Sequence, residues 1–455
     1  MPSSRRALGD YQTPDALALR VCRLLASRID TPAAIVEPTC GAGAFLRAAA
    51  GTWPGRPLVG YELSAERRAE AGSGPWAVHA ADAFALDWAT TLPDAPGLLV
   101  LGNPPWGAVD QLARVNGLRP PRLGGRTRGD ARTGAANFDA SEWLLLAWLE
   151  ALAGRDATVA MLVKTSAARR TMLAADRSGL PLNPVGMWAV DARREFHASV
   201  SACLFVFRTR GAPAPCPVAP DLEATATRAV TVDAGQWVAD ADAWAAARHL
   251  RGTAPVRWRS GVKHDCAAVM ELRADGCTRD GQDPCIEAGF SAPFAKGADV
   301  ARGRPPSRRL VLPHRAPGES TDGLKARAPH TWRYLLQHAT RLDARRSRIW
   351  SASPRFGLFG LGPYSFAPWK VAAPCIHAPT VFRVIGPFDG EPVLLDDTCV
   401  FLPFHTEADA RAAAKALGTP EVASYLAARA PEGAKRRLTI AALADLDWSK
   451  AADRA

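Results

Sequence analysis

The sequence lacks several features that would place a protein in a class at once. Its nine cysteines include no Cys-X-X-Cys pair and no regular His/Cys spacing, so no metal site is expected. No apolar run approaches the roughly 20 residues that span a membrane, and the N-terminus shows no charged-then-apolar signal pattern. No internal repeat is present. These absences predict a soluble, reduced, cytoplasmic protein with no membrane partner.

Acidic residues are fewer than basic ones. The chain has 45 Asp and Glu against 56 Lys and Arg, which gives a net charge of +11 and a pI near 9.5. Such an excess favours a polyanionic partner. The length of 455 residues suits two domains, and a hydrophobic content of 48% is sufficient for packed cores.

The most informative stretch is Asn103-Pro104-Pro105-Trp106. It follows an apolar run at residues 97–101 that is typical of a buried parallel strand, and open α/β sheets bind ligands at the carboxyl ends of such strands. Consecutive prolines restrict the backbone, so the Asn103 amide and the Pro104 carbonyl become rigid acceptors, while Trp106 offers a flat face. Taken alone, the stretch is equally compatible with a proline-rich turn.

These residue types suit methylation of an exocyclic amine. The amino nitrogen of adenine is a poor nucleophile because its lone pair is delocalised into the ring. Two acceptors aimed at its hydrogens would return electron density to the nitrogen as it attacks a sulfonium methyl group. Positioning and preorganised electrostatics would then provide the rate acceleration without a strong base.

A second motif lies upstream. An apolar strand at residues 33–36 leads into the segment Glu37 to Gly43, and a helix is predicted to follow. Gly41 and Gly43 allow the backbone to approach a ligand at the helix start. No third glycine completes a dinucleotide fingerprint, which disfavours NAD.

Two further predicted strands end in carboxylates. Residues 58–62 end in Glu62, and an acidic residue at this point commonly binds ribose hydroxyls. Residues 76–80 are followed by Asp82 and Phe84, which could hold an adenine. Each carboxylate alone could be a helix N-cap, but three polar strand ends in succession followed by the tetrapeptide indicate a nucleotide-like cofactor site.

In this order, the motifs resemble those of the gamma-class adenine-N6 DNA methyltransferases of restriction-modification systems, the TaqI-like group. Tyr11-Gln12-Thr13-Pro14 is similar to the N-terminal cofactor motif of that family. Phe196 lies in a segment similar to a later motif whose aromatic packs on the target base. The resemblance implies that S-adenosyl-L-methionine is bound by Tyr11, Thr13, Glu37, Pro38, Gly41, Gly43, Glu62, Asp82 and Phe84. It implies a catalytic role for Asn103, Pro104, Pro105, Trp106 and Phe196.

The resemblance extends beyond the catalytic part. Residues 137–143 resemble the segment that opens the next helix of the family, and residues 261–265, 364–371 and 394–398 resemble parts of its DNA-recognition domain. After the tetrapeptide, residues 107–110 are smaller and less polar than in many relatives. The activity implied is that of a site-specific adenine-N6 DNA methyltransferase (EC 2.1.1.72) in a restriction-modification or anti-phage system.

Strands and helices alternate through the first half of the chain. Further strands are predicted at residues 158–163, 186–190 and 202–207, which together give a Rossmann-like, doubly wound sheet of seven strands. The proline-rich residues 211–217 are predicted to be a linker. We therefore expect a catalytic domain at residues 1–212 and a mixed α/β DNA-recognition domain at residues 213–455.

Arginine is concentrated in several places. A Gly/Arg-rich stretch after the tetrapeptide is predicted to be a loop near the catalytic site. Basic clusters with aromatic residues nearby favour contact with double-stranded DNA, although any one cluster could be a solvated face. The loop arginines are Arg119, Arg122, Arg126, Arg128 and Arg132, and the clusters are Arg302, Arg304, Arg308 and Arg309, then Arg345, Arg346 and Arg348, then Lys435, Arg436 and Arg437.

Several alternatives remain open at this point. Methylation of RNA adenine, of a protein glutamine or of cytosine N4 would use similar chemistry, and a DNA-binding module without catalytic activity would use a similar fold. Asparagine at the first position of the tetrapeptide favours adenine over cytosine. A monomer is expected, with a cognate restriction endonuclease as a possible partner.

Overall fold

The computed structural model describes residues 11–107, 139–376, 380–430 and 438–452. The chain forms two compact units, Met1–Asp242 and Ala243–Ala455. The first unit therefore continues 30 residues beyond the predicted domain end at residue 212. No helix in the described ranges is long and apolar enough to cross a membrane.

The first unit is built around one sheet. Its first seven strands, β1 to β7, are Ala34–Glu37, Leu58–Glu62, Ala77–Ala80, Leu98–Gly102, Ala157–Lys164, Asn183–Val190 and Ala202–Arg208. They lie in the order β6-β7-β5-β4-β1-β2-β3. Strands β1 to β5 pair in parallel, whereas β7 runs antiparallel to both β5 and β6. All seven predicted strands are therefore present.

Helices cover both faces of this sheet. The helices α1 to α7 of the described residues are Asp15–Ala26, Ala44–Thr52, Ala65–Ala71, Trp88–Thr91, Ala140–Ala151, Thr165–Ser178 and Ala192–Phe196. Alternate strand residues face opposite ways, because successive side chains of a strand point to opposite faces. Ile35 packs into one hydrophobic core with α1 and α2, and its neighbour Val36 into another with α5. This confirms the predicted doubly wound α/β fold.

Three more strands widen the sheet beyond the predicted seven. They are β8, β9 and β10, at Cys216–Ala219, Arg228–Asp233 and Gln236–Val238. β8 pairs in parallel with β6, and β9 pairs antiparallel with β8. Cys216 and Val230 are almost fully buried in the same core as β5 and β7. The linker predicted at residues 211–217 is therefore wrong at its end, since β8 begins at Cys216 and joins the catalytic sheet.

The second unit mixes short strands and helices. It contains two four-stranded sheets, in the orders β11-β18-β15-β16 and β12-β14-β13-β17. The strands β11 to β18 are Arg259–Ser260, Glu271–Arg273, Ser291–Ala295, Arg308–Val311, Trp369–Pro374, Arg383–Ile385, Leu394–Leu395 and Cys399–Phe404. The helices α8 to α17, of which α8 spans the boundary of the units, are Ala241–Ala247, Ala267–Met270, Gly297–Arg302, Leu324–Arg327, Pro329–Gln337, Ala339–Asp343, Glu407–Leu417, Pro420–Arg429, Ile440–Ala444 and Ser449–Ala452.

The second unit buries a lysine near the start of β15. Lys370 is 1% exposed, and its ammonium donates a hydrogen bond of 2.5 Å to the Ala367 carbonyl. Burial lowers the pKa of Lys370 from its usual 10.5 to about 7. Between about pH 7 and pH 10.5, Lys370 is mostly protonated in the unfolded chain and mostly neutral in the folded chain. The lysine therefore costs most stability below about pH 7, and this cost disappears as the pH rises towards the unfolded pKa.

We expect Lys370→Met to raise the melting temperature at about pH 6, by about 2–8 °C for a net gain of roughly 1–2 kcal/mol. The gain should shrink by about pH 9, because the wild-type lysine is then largely neutral in the folded state. Thermal unfolding of both proteins at the two pH values measures this difference. Lys415→Met on the exposed side of α14 is the matched control. A gain that does not depend on pH would contradict the explanation.

Candidate active site

A cavity of about 420 Å³ opens at the carboxyl ends of β1 to β4. These strands are parallel, so their carboxyl ends meet at one edge of the sheet, where α/β folds bind ligands. The predicted site residues among its lining are Tyr11, Thr13, Glu37, Pro38, Gly41, Glu62, Asp82, Phe84, Asn103 and Pro105. The structure therefore brings together side chains that are up to 94 positions apart in the sequence, from Tyr11 to Pro105.

The loop after β1 is held by backbone hydrogen bonds. Cys40 N donates to the Tyr61 carbonyl at 2.9 Å, and Ala42 N donates to Gln12 Oε1 at 3.1 Å. Gly41 has a φ of 52°, and a Cβ there would lie 2.4 Å from Gln12 Oε1. Glycine is therefore required at position 41 both by its left-handed conformation and by the closeness of its neighbour.

The two acidic strand ends are fixed in different ways. Both oxygens of Glu62 accept backbone hydrogen bonds, from Gly41 N at 3.0 Å and Ser64 N at 2.7 Å. Asp82 accepts one through Oδ1, from Phe84 N at 2.9 Å. The Phe84 ring rests against Trp143, with 5.4 Å between centroids. Both carboxylates are thus oriented before any ligand binds.

Glu37 is a buried carboxyl in the cavity lining. The residue is 3% exposed, and burial raises the pKa of its carboxyl well above the usual range. In the described structure, Glu37 Oε2 and Thr39 Oγ1 are buried without a hydrogen-bond partner. Buried polar atoms are rarely left unpaired. A ligand that brings a cationic amino group and further polar groups into this cavity would satisfy them, so the cavity fits S-adenosyl-L-methionine.

Asn103 follows β4 and is held by the N-terminal segment. Its Nδ2 donates to the Tyr11 carbonyl at 2.9 Å and to Thr13 Oγ1 at 3.2 Å. Both amide hydrogens are thereby used, whereas the buried Oδ1 has no partner among the described residues. Asn103 therefore presents an acceptor of fixed orientation at the wall of the cavity. Thr13, predicted as a cofactor residue, also orients the amide of Asn103.

The side chain of Trp106 is buried and does not line the cavity. It is 2% exposed, and its Nε1 donates to the Leu162 carbonyl at 3.1 Å. Its ring meets Phe196 edge to face, with 5.0 Å between centroids and 71° between planes, and Tyr11 lies 5.4 Å away. The packing of Trp106 on a target base, and that of Phe196, stay predictions. In this structure the two rings contact each other.

Four predicted residues lie outside the cavity lining: Gly43, Pro104, Trp106 and Phe196. Gly43 is the N-cap of α2 with a φ of 78°, and a Cβ there would lie 3.0 Å from the Cβ of Ala71. A glycine at position 43 therefore lets the start of α2 pack closely against α3. Residues 108–138, with the five loop arginines and part of the segment 137–143, lie outside the described residues.

Some lining residues were not predicted as site residues. Gln12 stands between two predicted cofactor residues, and Ser64 and Arg67 follow Glu62 by a few positions. Lys164 was also not predicted; it ends β5 outside the cavity lining and contacts the Trp106 carbonyl. A polar residue directly after an apolar strand was the signal that identified Glu62, and the same signal at Lys164 could have been used.

The fold and the cavity define an S-adenosyl-L-methionine-dependent methyltransferase. No family model matches the chain. Over 419 residues it is 33% identical to the type II methyltransferase M.NspV of Nostoc sp. (strain ATCC 29411 / PCC 7524), with 88% of this chain and 87% of the relative covered. The chain belongs to the type II methyltransferase family, the DNA methyltransferases of restriction-modification systems.

A solved structure shares the fold over most of the chain. The Type IIL restriction-modification enzyme MmeI, solved in complex with DNA, aligns with a TM-score of 0.52 over 94% of this chain. The sequences are 12% identical, and the chain spans 66% of the length of MmeI. This likeness supports the overall fold independently of sequence identity.

When bound, S-adenosyl-L-methionine supplies a methyl group on a positively charged sulfur. We expect Glu37 to hold its cationic amino group, Glu62 its ribose hydroxyls, and Asp82 with Phe84 its adenine ring. Each assignment follows from the chemistry of the side chain and from its place in the cavity lining.

We expect Glu62→Ala and Asp82→Ala each to weaken cofactor binding by about 1–3 kcal/mol, the usual cost of losing a charge-assisted hydrogen bond. This corresponds to roughly a 5- to 150-fold rise in Kd, which isothermal calorimetry can measure. Asp94→Ala is the matched control, since the Asp94 side chain is fully exposed and outside the cavity lining. Unchanged affinity in both cavity variants would refute the assignment.

Proposed function

We propose that this chain transfers the methyl group of S-adenosyl-L-methionine to N6 of an adenine that has been flipped out of duplex DNA. The observation that carries the proposal is the hydrogen bonding of the Asn103 side-chain amide. Its two amide hydrogens are held by Tyr11 and Thr13, and its Oδ1, beside the cofactor cavity, has no partner among the residues that the structure describes. An exocyclic amino group needs such an acceptor, because a hydrogen bond to it raises the nucleophilicity of the amino nitrogen.

The tetrapeptide would act through its oxygens. Asn103 Oδ1 and the Pro104 carbonyl would accept the two amino hydrogens, which localises electron density on the nitrogen. Pro105 restricts the conformation of Pro104, so the second acceptor needs no reorganisation during the reaction. As the N–CH3 bond forms, the S–CH3 bond breaks and leaves S-adenosyl-L-homocysteine. The proton lost from the methylated nitrogen passes to water, and no strong base is needed because preorganised acceptors stabilise the developing positive charge.

Base flipping follows from geometry. An amino group within a base pair cannot approach the acceptors of a recessed site, so the base must leave the stack. Tyr11 lines the cavity beside Asn103 and packs against the buried rings of Trp106 and Phe196. A base sandwiched between Trp106 and Phe196 would require these rings to separate, whereas stacking on one side of the three rings would not.

We also propose that the second unit recognises the DNA. The structure divides its basic clusters into two kinds. Arg308 and Arg309 form ion pairs with Asp299 and Glu391, at 2.7 and 2.9 Å, and so stabilise the unit itself. Three other arginines are exposed and have no ion pair within the described residues: Arg302, Arg304 and Arg346. Exposed cations of this kind are suited to phosphate contacts.

Arg345 has a structural role in the same unit. Its guanidinium stacks on Trp350, 3.9 Å from the ring centroid, and donates to the carbonyls of His264 and Gly357. Burial lowers the pKa of its guanidinium. The cluster at residues 435–437 lies outside the described residues. A cognate restriction endonuclease and a monomeric state remain part of the proposal.

Product analysis tests the proposed function. The gene would be expressed in a host without endogenous adenine methylation, and its DNA hydrolysed to nucleosides for mass spectrometry. N6-methyladenine should appear, and sequencing of the native DNA should place it in one short recognition sequence. N4-methylcytosine would overturn the proposed base. Labelled methyl transfer to RNA or protein but not to DNA would overturn the substrate class.

A further inference from the structure

We propose that Lys164 is a positioning residue for the catalytic tetrapeptide, an inference that rests on the proposed function. Lys164 is the last residue of β5, next to β4 in the sheet. Its Nζ donates to the Trp106 carbonyl and also to Asp139 Oδ2, at 2.7 Å in the second case. One ammonium therefore joins the tetrapeptide backbone to a carboxylate that follows it by 33 positions.

Asp139 links this contact to a helix. It is 6% exposed, and its Oδ1 accepts hydrogen bonds from Ser141 N at 3.0 Å and Ser141 Oγ at 2.5 Å. This makes Asp139 the N-cap of α5. The next residue, Ala140, donates its N–H to the Gly107 carbonyl at 2.8 Å. The carbonyls of residues 106 and 107 are thus both engaged, the first by Lys164 and the second by the start of α5.

The side chain of Trp106 is anchored to the same strand. Its Nε1 donates to the Leu162 carbonyl, two residues before Lys164. The end of β5 therefore holds Trp106 through both its indole and its backbone. Together with the contacts of Asn103 to Tyr11 and Thr13, this fixes both ends of the tetrapeptide, and its two prolines restrict the middle.

Charge strengthens this arrangement. The side chain of Lys164 is 26% exposed and that of Asp139 is 6% exposed, so the ammonium neutralises a carboxylate that is almost fully buried. Hydrogen bonds between charged groups are shorter and stronger than neutral ones. A displacement of about 1 Å in an acceptor can cost roughly 100-fold in rate. Losing Lys164 would free the Trp106 carbonyl and let the acceptors of the tetrapeptide shift.

The decisive experiment compares Lys164→Met with Arg170→Met. Arg170 pairs with Glu142, a buried carboxylate on the same helix α5, at 2.5 Å, and makes none of the tetrapeptide's hydrogen bonds described above. Each variant removes a cation that pairs with a buried carboxylate, so both should lower the melting temperature. Only Lys164→Met should lower kcat for methyl transfer to DNA, by about 10- to 100-fold. The Kd for S-adenosyl-L-methionine should stay within about twofold of wild type, because Lys164 does not line the cofactor cavity.

Two more variants separate positioning from a simple ion pair. Asp139→Asn removes the charge of the pair but keeps an oxygen to cap α5 and leaves the Lys164 contact to Trp106 possible. It should lose less kcat than Lys164→Met, whereas equal losses would overturn the proposal. Lys164→Arg keeps a cationic donor and should recover part of the activity. If Lys164→Met does not fold, Lys164→Gln takes its place in both comparisons, because it also removes the cation.

A wild-type kcat in folded Lys164→Met would refute the proposal, as would an equal loss in Arg170→Met. Total methyl transfer to DNA is the quantity measured, whichever base accepts the methyl group. If the product proves to be N4-methylcytosine, the proposed base is wrong, but the comparison of kcat values still supports or refutes the role of Lys164.

Discussion

Asn103→Ala should lower kcat for methyl transfer to DNA by about 100-fold or more, the usual cost of losing one preorganised group that stabilises a transition state. The variant lacks the Oδ1 acceptor that raises the nucleophilicity of the amine. Affinity for S-adenosyl-L-methionine should change little, because Glu37, Glu62 and Asp82 remain in place. Affinity for DNA should also be largely retained, since the proposed phosphate contacts belong to the second unit. Single-turnover methylation, together with calorimetry for the cofactor, separates these effects.

A matched control is available in the same unit. Asn183→Ala removes an asparagine side chain at the start of β6, outside the cavity lining, and should leave kcat unchanged. Full activity in Asn103→Ala would refute the mechanism. A loss of activity that arises only from weaker cofactor binding would instead assign Asn103 to the cofactor site.

DNA affinity of the full-length chain should fall by about 10³- to 10⁵-fold between 50 and 200 mM salt if the chain contacts roughly 6–10 phosphates. Affinity falls with salt because arginines that bind phosphates release counterions condensed on the DNA. Replacing Arg302, Arg304 or Arg346 by alanine should reduce the slope of log K against log salt by about 1 for each residue that contacts a phosphate. Fluorescence anisotropy with a labelled duplex at several salt concentrations measures the slope.

The control for this prediction is Arg411→Ala. Arg411 is also exposed in the second unit, but it pairs with Glu407 on the same helix at 2.6 Å. Its charge is therefore partly neutralised, and its loss should leave the slope nearly unchanged. If wild-type binding does not depend on salt, or if all three arginine variants keep the wild-type slope, the second unit is not the DNA-binding part that we propose.

The sequence by itself determined the strands of the catalytic sheet and the residues at their ends. Apolar runs such as residues 97–101 are local signals, and a buried parallel strand requires little beyond such a run. Once Glu37, Glu62, Asp82 and Asn103 follow successive parallel strands, the geometry of the sheet brings them to one edge. The place of these four residues in the cavity could therefore be predicted without any knowledge of tertiary contacts.

Only the tertiary structure decided how far the catalytic sheet extends and how the tetrapeptide is held. The strands at residues 216–238 are short, and the proline-rich residues 211–217, which were predicted to be a linker, overlap the first of them. Their membership of the sheet comes from pairing with β6, which is distant in sequence. The contacts of Asn103 with Thr13 and of Trp106 with Phe196 and Lys164 likewise span 58 to 90 positions. Such contacts depend on how helices and strands pack in three dimensions, and no periodicity along the chain encodes them.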